Sequence, residues 1–141
     1  METILLIHGS LRWIVAVLLI ATLIGGIIVF LRKSTIPILR WIVLSGVIVT
    51  SLQLVLGGIL LIYDSIQANW DMKALRYQYE HAFGMVIALG VVHLLPRAFR
   101  APTVQQQSIR LIGLAIVAIA LVGWSVIRLR GLSYWLPFIA G

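Results

Sequence analysis

Residues 4–31 read ILLIHGSLRWIVAVLLIATLIGGIIVFL and contain one charged side chain, Arg12. A helix crosses the hydrocarbon core of a bilayer with about 20 predominantly apolar residues. The run is therefore long enough to span a membrane, and three further apolar runs follow it, at residues 41–63, 79–95 and 109–127. We predict four transmembrane helices and an all-α fold, an integral membrane protein built as an antiparallel four-helix bundle.

The composition of the chain supports this class. Of its 141 residues, 62% are hydrophobic and 11% are charged, whereas about a quarter of the residues in a soluble domain are charged. A chain this short cannot bury so much apolar surface in one core, which argues against a soluble enzyme, a nucleic-acid-binding module and a disordered tail. Because the chain has no cysteine, disulfides, thiolate metal sites and covalently attached haem are excluded. Only non-covalent cofactors remain.

The charged residues, 11 Lys+Arg against 4 Asp+Glu, sort by side of the membrane. The loops after the first and the third span contain six basic residues and no acid, and basic loops stay in the cytoplasm. We therefore expect both termini and the loop 64–78 to lie outside. The segment 131–141 is too short to span, and we expect it at the outer interface or against a partner. The six basic residues are Arg32, Lys33, Arg40, Arg97, Arg100 and Arg110.

Two histidines lie at nearly the same predicted depth. His8 is near the start of the first span, His81 opens the third, and both spans start outside. The first and third helices of a bundle can face each other across its core, where two imidazoles can ligate one haem iron from both sides. Ionisable residues in membrane helices are functional candidates by default. The alternative is a pair of interfacial histidines that cap helix ends.

Residues near the two histidines fit the same ligand. Gly84 and Met85 share a helix face with His81, so that Gly84 would leave space for a porphyrin plane and Met85 would pack on its edge. Arg12 lies one turn deeper than His8, and Arg76 lies on the same outer side. Both are expected to hold haem propionates. For Arg12 it is equally open that the side chain reaches the lipid headgroups.

His93 and Gln53 have other interpretations. His93 lies 12 residues after His81, which places it about 18 Å deeper and rotates it by about 120°. No other span offers a histidine or methionine at that depth. We interpret His93 as a packed or water-bonded histidine, with a metal-ligand role as the alternative. Gln53 is predicted to hydrogen-bond between helices, and small residues such as Gly57 are expected to let helices approach closely or to leave room for a flat ligand.

Three stretches of the chain resemble a family of small four-helix bacterial membrane proteins identified as cytochrome b. HGSLRW at residues 8–13 resembles the family's HSxLRW start. EHAFGM at residues 80–85 resembles its EHxxMM segment, and QLVLGGILLIY at residues 53–63 is similar to its second helix, QLLLGLILYF. The resemblance covers most of the spans in the right order, although each motif is short.

The resemblance implies haem b held by His8 and His81 in a bacterial inner membrane. Many members of the family have a histidine at the position that is Ser51 here, which matches the depth of His93. Since this chain lacks that histidine, the resemblance puts a second haem in doubt and leaves the outer haem intact.

The leading hypothesis is a membrane cytochrome b with one bis-histidine haem that transfers electrons near the outer face. Its partner would be a quinol or a periplasmic redox protein, and the chain would act alone, as a homo-oligomer or as a subunit of a larger redox complex. The sequence shows no catalytic acid, nucleophile or nucleotide site, so nothing in it indicates an enzyme in its own right. The alternative is a haem-free structural or accessory subunit of a membrane complex. A proton-coupled transporter is disfavoured, because we expect no carboxylate in the membrane core.

Overall fold

The computed structural model describes residues 1–130, and they form four long α-helices with short connections. The helices are α1 (Glu2–Arg32), α2 (Pro37–Gln67), α3 (Arg76–Leu94) and α4 (Val104–Arg130), and a 3₁₀-helix, Leu95–Arg100, follows α3 directly. Each is long and apolar enough to cross a membrane, the third together with the 3₁₀-helix that continues it. The prediction of an all-α membrane fold with four spanning helices is confirmed. The interfacial tail predicted at 131–141 lies outside the described residues.

The helix ends follow from local backbone chemistry. Lys33, just after α1, adopts a left-handed conformation with φ of 52°, which ends the helical hydrogen-bond pattern. Pro37 begins α2, at a position where its missing N–H would have no intrahelical partner anyway. α1, α2 and α4 extend beyond the predicted apolar runs at both ends, and α3 ends at Leu94.

The four helices form a ring in which sequence neighbours are also neighbours in space. Consecutive helices pack side by side, and α1 closes the ring by packing against α4. Within residues 1–130, α1 and α3 have no direct packing contact and lie on a diagonal of the bundle. The expectation that the first and third helices face each other across the core is confirmed.

The core consists of small and aliphatic side chains at helical spacing. On α1 the buried positions recur every three or four residues, which is the pattern of a helix with one face on a bundle, while large apolar residues such as Val17 face outward. Gly26 is buried where α1 meets α4: a β-carbon there would lie 3.1 Å from Ile112. The buried positions of α1 are Val15, Leu19, Thr22, Gly26 and Val29.

Candidate functional site

All four helices line one cavity of about 800 Å³, at the end of the bundle where α1 begins and α4 ends. We call it the histidine cavity, because both His8 and His81 line it. Its volume falls within the range of roughly 300–1,000 Å³ that is typical of sites for small ligands and cofactors. Its described lining includes His8, Arg12, Trp13 and Val15 of α1, Gln53 of α2, His81 and Met85 of α3, and Val122 and Val126 of α4.

His8 is positioned by two residues of α2. The side-chain Nε2 of Gln53 donates a hydrogen bond of 2.8 Å to the backbone carbonyl of His8 and lies 3.4 Å from the imidazole Nε2. The ring itself lies over Gly57, where a β-carbon would be 2.9 Å from Cε1 of His8. The interhelical hydrogen bond predicted for Gln53 is therefore present, and its acceptor is the backbone of a candidate ligand.

Gln53 also presents a second polar atom. The residue is 5% exposed, and its Oε1 is buried without a hydrogen-bond partner in the described part of the chain. Buried polar atoms of proteins are nearly always hydrogen-bonded. Because Gln53 lines the histidine cavity, this oxygen is suited to accept a hydrogen bond from a bound ligand or water.

His81 is oriented by α4. Its Nδ1 lies 3.0 Å from the backbone carbonyl oxygen of Ser125. A carbonyl oxygen only accepts, so Nδ1 carries the proton, and in the neutral ring Nε2 carries the lone pair. Histidines that ligate a metal usually donate their other ring N–H to a carbonyl or carboxylate in this way. The hydrogen bond thus selects the tautomer that a ligand histidine needs.

Arg12 and Met85 line the same cavity. The guanidinium carbon of Arg12 lies 5.1 Å from the centroid of the Trp13 ring, a distance at which a cation is attracted to an aromatic face. Met85 is 7% exposed, and its flexible thioether side chain suits the irregular wall of a ligand site. The cavity therefore combines two imidazoles, the cation of Arg12, the carboxylate of Glu2 and a polarisable apolar wall.

Gly84 does not leave space for a ligand, contrary to the expectation above. It lies against Ser125 of α4, and a β-carbon on residue 84 would collide with Oγ of that serine. The place of the missing side chain is taken by a neighbouring helix, so Gly84 serves the close approach of α3 and α4. It is absent from the described lining of the histidine cavity.

Arg76 also lies away from the described cavity lining. Its Nε donates a hydrogen bond of 2.8 Å to Oε1 of Glu80, and Oε2 of Glu80 accepts one of 2.6 Å from Nη2 of Arg128. Arg76 and Arg128 are exposed, and Glu80 is partly buried. Arg76 was expected to hold a ligand anion. Instead it belongs to an ion-pair cluster with Glu80 and Arg128 that joins α3 to α4.

His93 lies outside the cavity and is exposed. Its Nδ1 lies 3.0 Å from the carbonyl oxygen of Leu89 in the same helix. Its ring is therefore bonded locally, on the surface of α3 rather than packed in the core.

Among residues 1–130, no three side chains of His, Cys, Asp or Glu cluster in a way that would hold a metal ion. Haem iron differs from a bare ion because the porphyrin supplies its equatorial ligands and the protein supplies the axial ones. Two histidines on one cavity are therefore a donor set suited to haem. Comparison of the chain with protein-family models, curated proteins and solved structures gives no match.

Proposed function

We propose that this chain is a membrane b-type cytochrome, with one haem held between His8 and His81. The observation that carries the proposal is their common placement: they stand on the diagonal helices α1 and α3 and line one cavity. A flat ligand in this cavity would be held by one histidine from each of two helices that do not pack against each other.

The environment of each histidine supports a ligand role. The Ser125 carbonyl holds the proton of His81 on Nδ1, which leaves the Nε2 lone pair as the coordinating one. Gln53 ties the backbone of His8 to α2, so the start of α1 is held in place beside the cavity. Arg12 supplies a positive charge on the same wall, suited to the carboxylates of haem propionates.

When bound, the haem would supply a reversible one-electron couple. Held by the imidazoles of both His8 and His81, the group would serve electron transfer rather than the binding of oxygen. The chain's own residues hold and orient the group, and the apolar wall of Val15, Val122 and Val126 limits the access of water. Such a protein transfers electrons to a partner and is not an enzyme in its own right.

The proposal also includes the orientation of the bundle in the membrane and the kind of redox partner that it meets. The six basic residues at the opposite end of the bundle favour the cytoplasm, so the proposal assigns the histidine cavity and both ends of the chain to the outer side of a bacterial inner membrane. A haem near that face is accessible to a quinol or to a periplasmic redox protein. The chain would work alone, as a homo-oligomer or as a subunit of a larger redox complex.

The test is a reduced-minus-oxidised visible spectrum of the purified protein, produced with ample haem, together with His8→Ala, His81→Ala and the control His93→Ala. We expect b-type bands in the wild-type protein and in His93→Ala, and their loss in the other two variants. A wild-type protein without haem would overturn the proposal and favour a haem-free accessory subunit. Loss of haem in His93→Ala alone would mean that the iron is held elsewhere.

A further inference from the structure

A second cavity, of about 610 Å³, lies at the opposite end of the bundle. It is formed by the start of α2, the 3₁₀-helix and the first turns of α4. We call it the basic groove. Its polar lining includes Thr35, Arg40 and Gln107, and its apolar lining includes Ile36, Leu44 and Phe99. Among residues 1–130, the groove shares no lining residue with the histidine cavity.

Gln107 is the first indication of a ligand. It is 8% exposed and lines the groove, and no hydrogen bond joins its side chain to another group among residues 1–130. Its amide is therefore free to hydrogen-bond with a group that enters the groove. A polar ligand in the groove would supply such a group.

The start of α2 is the second indication. No side chain caps this helix, which begins with Pro37 next to the groove. The positive end of the helix dipole lies at this N-terminus and attracts anions, and Arg40 adds a full positive charge to the lining of the same groove. The Thr35 hydroxyl, the Gln107 amide and the Arg40 guanidinium are donors that a phosphate group binds.

The charge of this end of the bundle selects an anionic ligand. The segments 32–40 and 95–110 contain six Lys and Arg residues and no Asp or Glu. No carboxylate of these segments competes with a bound anion, and the surrounding cations raise its local concentration. Of the six, Arg40 is the one that lines the groove.

The apolar lining distinguishes a lipid from a soluble anion. Ile36, Leu44 and Phe99 border the donors, and Trp41 lies beside them with 67% of its surface exposed. Tryptophan at this level of a membrane helix is typical of the headgroup region. The ligand that matches both parts has a phosphate group with hydrocarbon chains attached.

We propose that the basic groove is a binding site for an anionic glycerophospholipid. Its phosphate is held by Arg40, Thr35 and Gln107, and its acyl chains lie along Leu44 and the outer face of α2. Basic pockets between membrane helices bind lipid headgroups in this way. The proposal does not depend on haem and holds for either function considered for the histidine cavity.

The experiment measures the melting temperature of the purified protein in a neutral detergent. Phosphatidylglycerol is compared with phosphatidylcholine of the same acyl chains and with inorganic phosphate. We expect phosphatidylglycerol alone to raise the melting temperature, by roughly 4 °C at ten times its dissociation constant. Arg40→Gln is expected to lose at least half of this rise, whereas Arg32→Gln, an exposed basic residue outside the described groove lining, is expected to keep it.

Three results would overturn the proposal. Equal effects of the two lipids would remove the role of charge, and an equal effect of inorganic phosphate would indicate a free anion site. Equal losses in Arg40→Gln and Arg32→Gln would indicate a diffuse basic surface. Should Arg40→Gln fail to fold, Gln107→Leu replaces it. This variant keeps every charge, and it too is expected to lose most of the selectivity for phosphatidylglycerol.

Discussion

The imidazole of His8 lies over the backbone of Gly57, where a β-carbon on residue 57 would come within 2.9 Å of Cε1. The contact joins α1 to α2 at the wall of the histidine cavity. Contacts this short are essentially never made by real β-carbons, so the ring of His8 takes its position from the absence of a side chain on α2.

Replacing Gly57 with alanine should therefore displace His8. On the proposed function, we expect Gly57→Ala to retain several-fold less haem per protein than the wild type, or to show shifted b-type bands. The control is Gly58→Ala, since a β-carbon on Gly58 meets nothing within 4 Å. The haem-to-protein ratio and the reduced spectrum of the two variants provide the measurement. Equal haem retention and equal spectra would contradict the positioning role of Gly57.

Arg12 and Arg76 should differ in their effect on the redox potential of the haem. A positive charge near the iron favours the reduced, less positive state, so its removal lowers the midpoint potential. For a charge about 10 Å away at an effective dielectric constant of about 20, the interaction is ~1.7 kcal/mol, or tens of millivolts. We expect Arg12→Gln to lower the potential by that amount and Arg76→Gln, whose side chain is paired with Glu80, to leave it nearly unchanged. A redox titration decides, and equal shifts in both variants would contradict the assignment.

The close contact of Gly84 with Ser125 predicts a loss of stability in Gly84→Ala. The added methyl group must push α3 away from α4 or displace the serine, and such overpacking typically costs about 1–3 kcal/mol. Gly90 lies on the same helix with nothing within 4 Å of a built β-carbon, so Gly90→Ala should leave stability unchanged or raise it. Thermal unfolding followed by circular dichroism compares the two. An unchanged melting temperature for Gly84→Ala would mean that the two helices separate at little cost.

A substitution at Thr50 should have the opposite effect, a gain of stability. The residue is fully buried, and its hydroxyl has no hydrogen-bond partner within residues 1–130. An unsatisfied buried polar group costs about 1–3 kcal/mol, so Thr50→Val, which keeps the branched shape, should raise the melting temperature. In the matched variant Thr22→Val, the lost hydroxyl bonds to the Leu18 carbonyl at 2.8 Å, and no rise is expected. A lower melting temperature for Thr50→Val would show that the hydroxyl has a partner.

The sequence is sufficient to predict the four helices and the placement of α1 diagonally opposite α3. The physical reasons are the lipid environment and the short connections. Lipid leaves an apolar segment little choice but to form a helix, and short connections force consecutive helices to be neighbours. His8 and His81 consequently had to lie at the same end of the bundle. Their common depth could be predicted from residue number and helix rise alone.

The direction of each side chain could not be predicted in the same way. Gly84 and Met85 are consecutive, yet the first packs against α4 and the second lines the cavity, since one residue turns a helix by about 100°. The carbonyl of Ser125 that orients His81 has no signal in the sequence, because every residue has a carbonyl. The pairing of Arg76 with Glu80 did have a signal, the spacing of four residues on a helix.

The diagonal placement of the two histidines has a consequence for assembly. Helices that insert one by one and then associate would give two hairpins, α1–α2 and α3–α4, and each hairpin would contain one of the two histidines. Neither half has the site, so the cavity comes into being only when the halves join. A ligand that bridges His8 and His81 would then stabilise the association of two separately inserted halves of the chain.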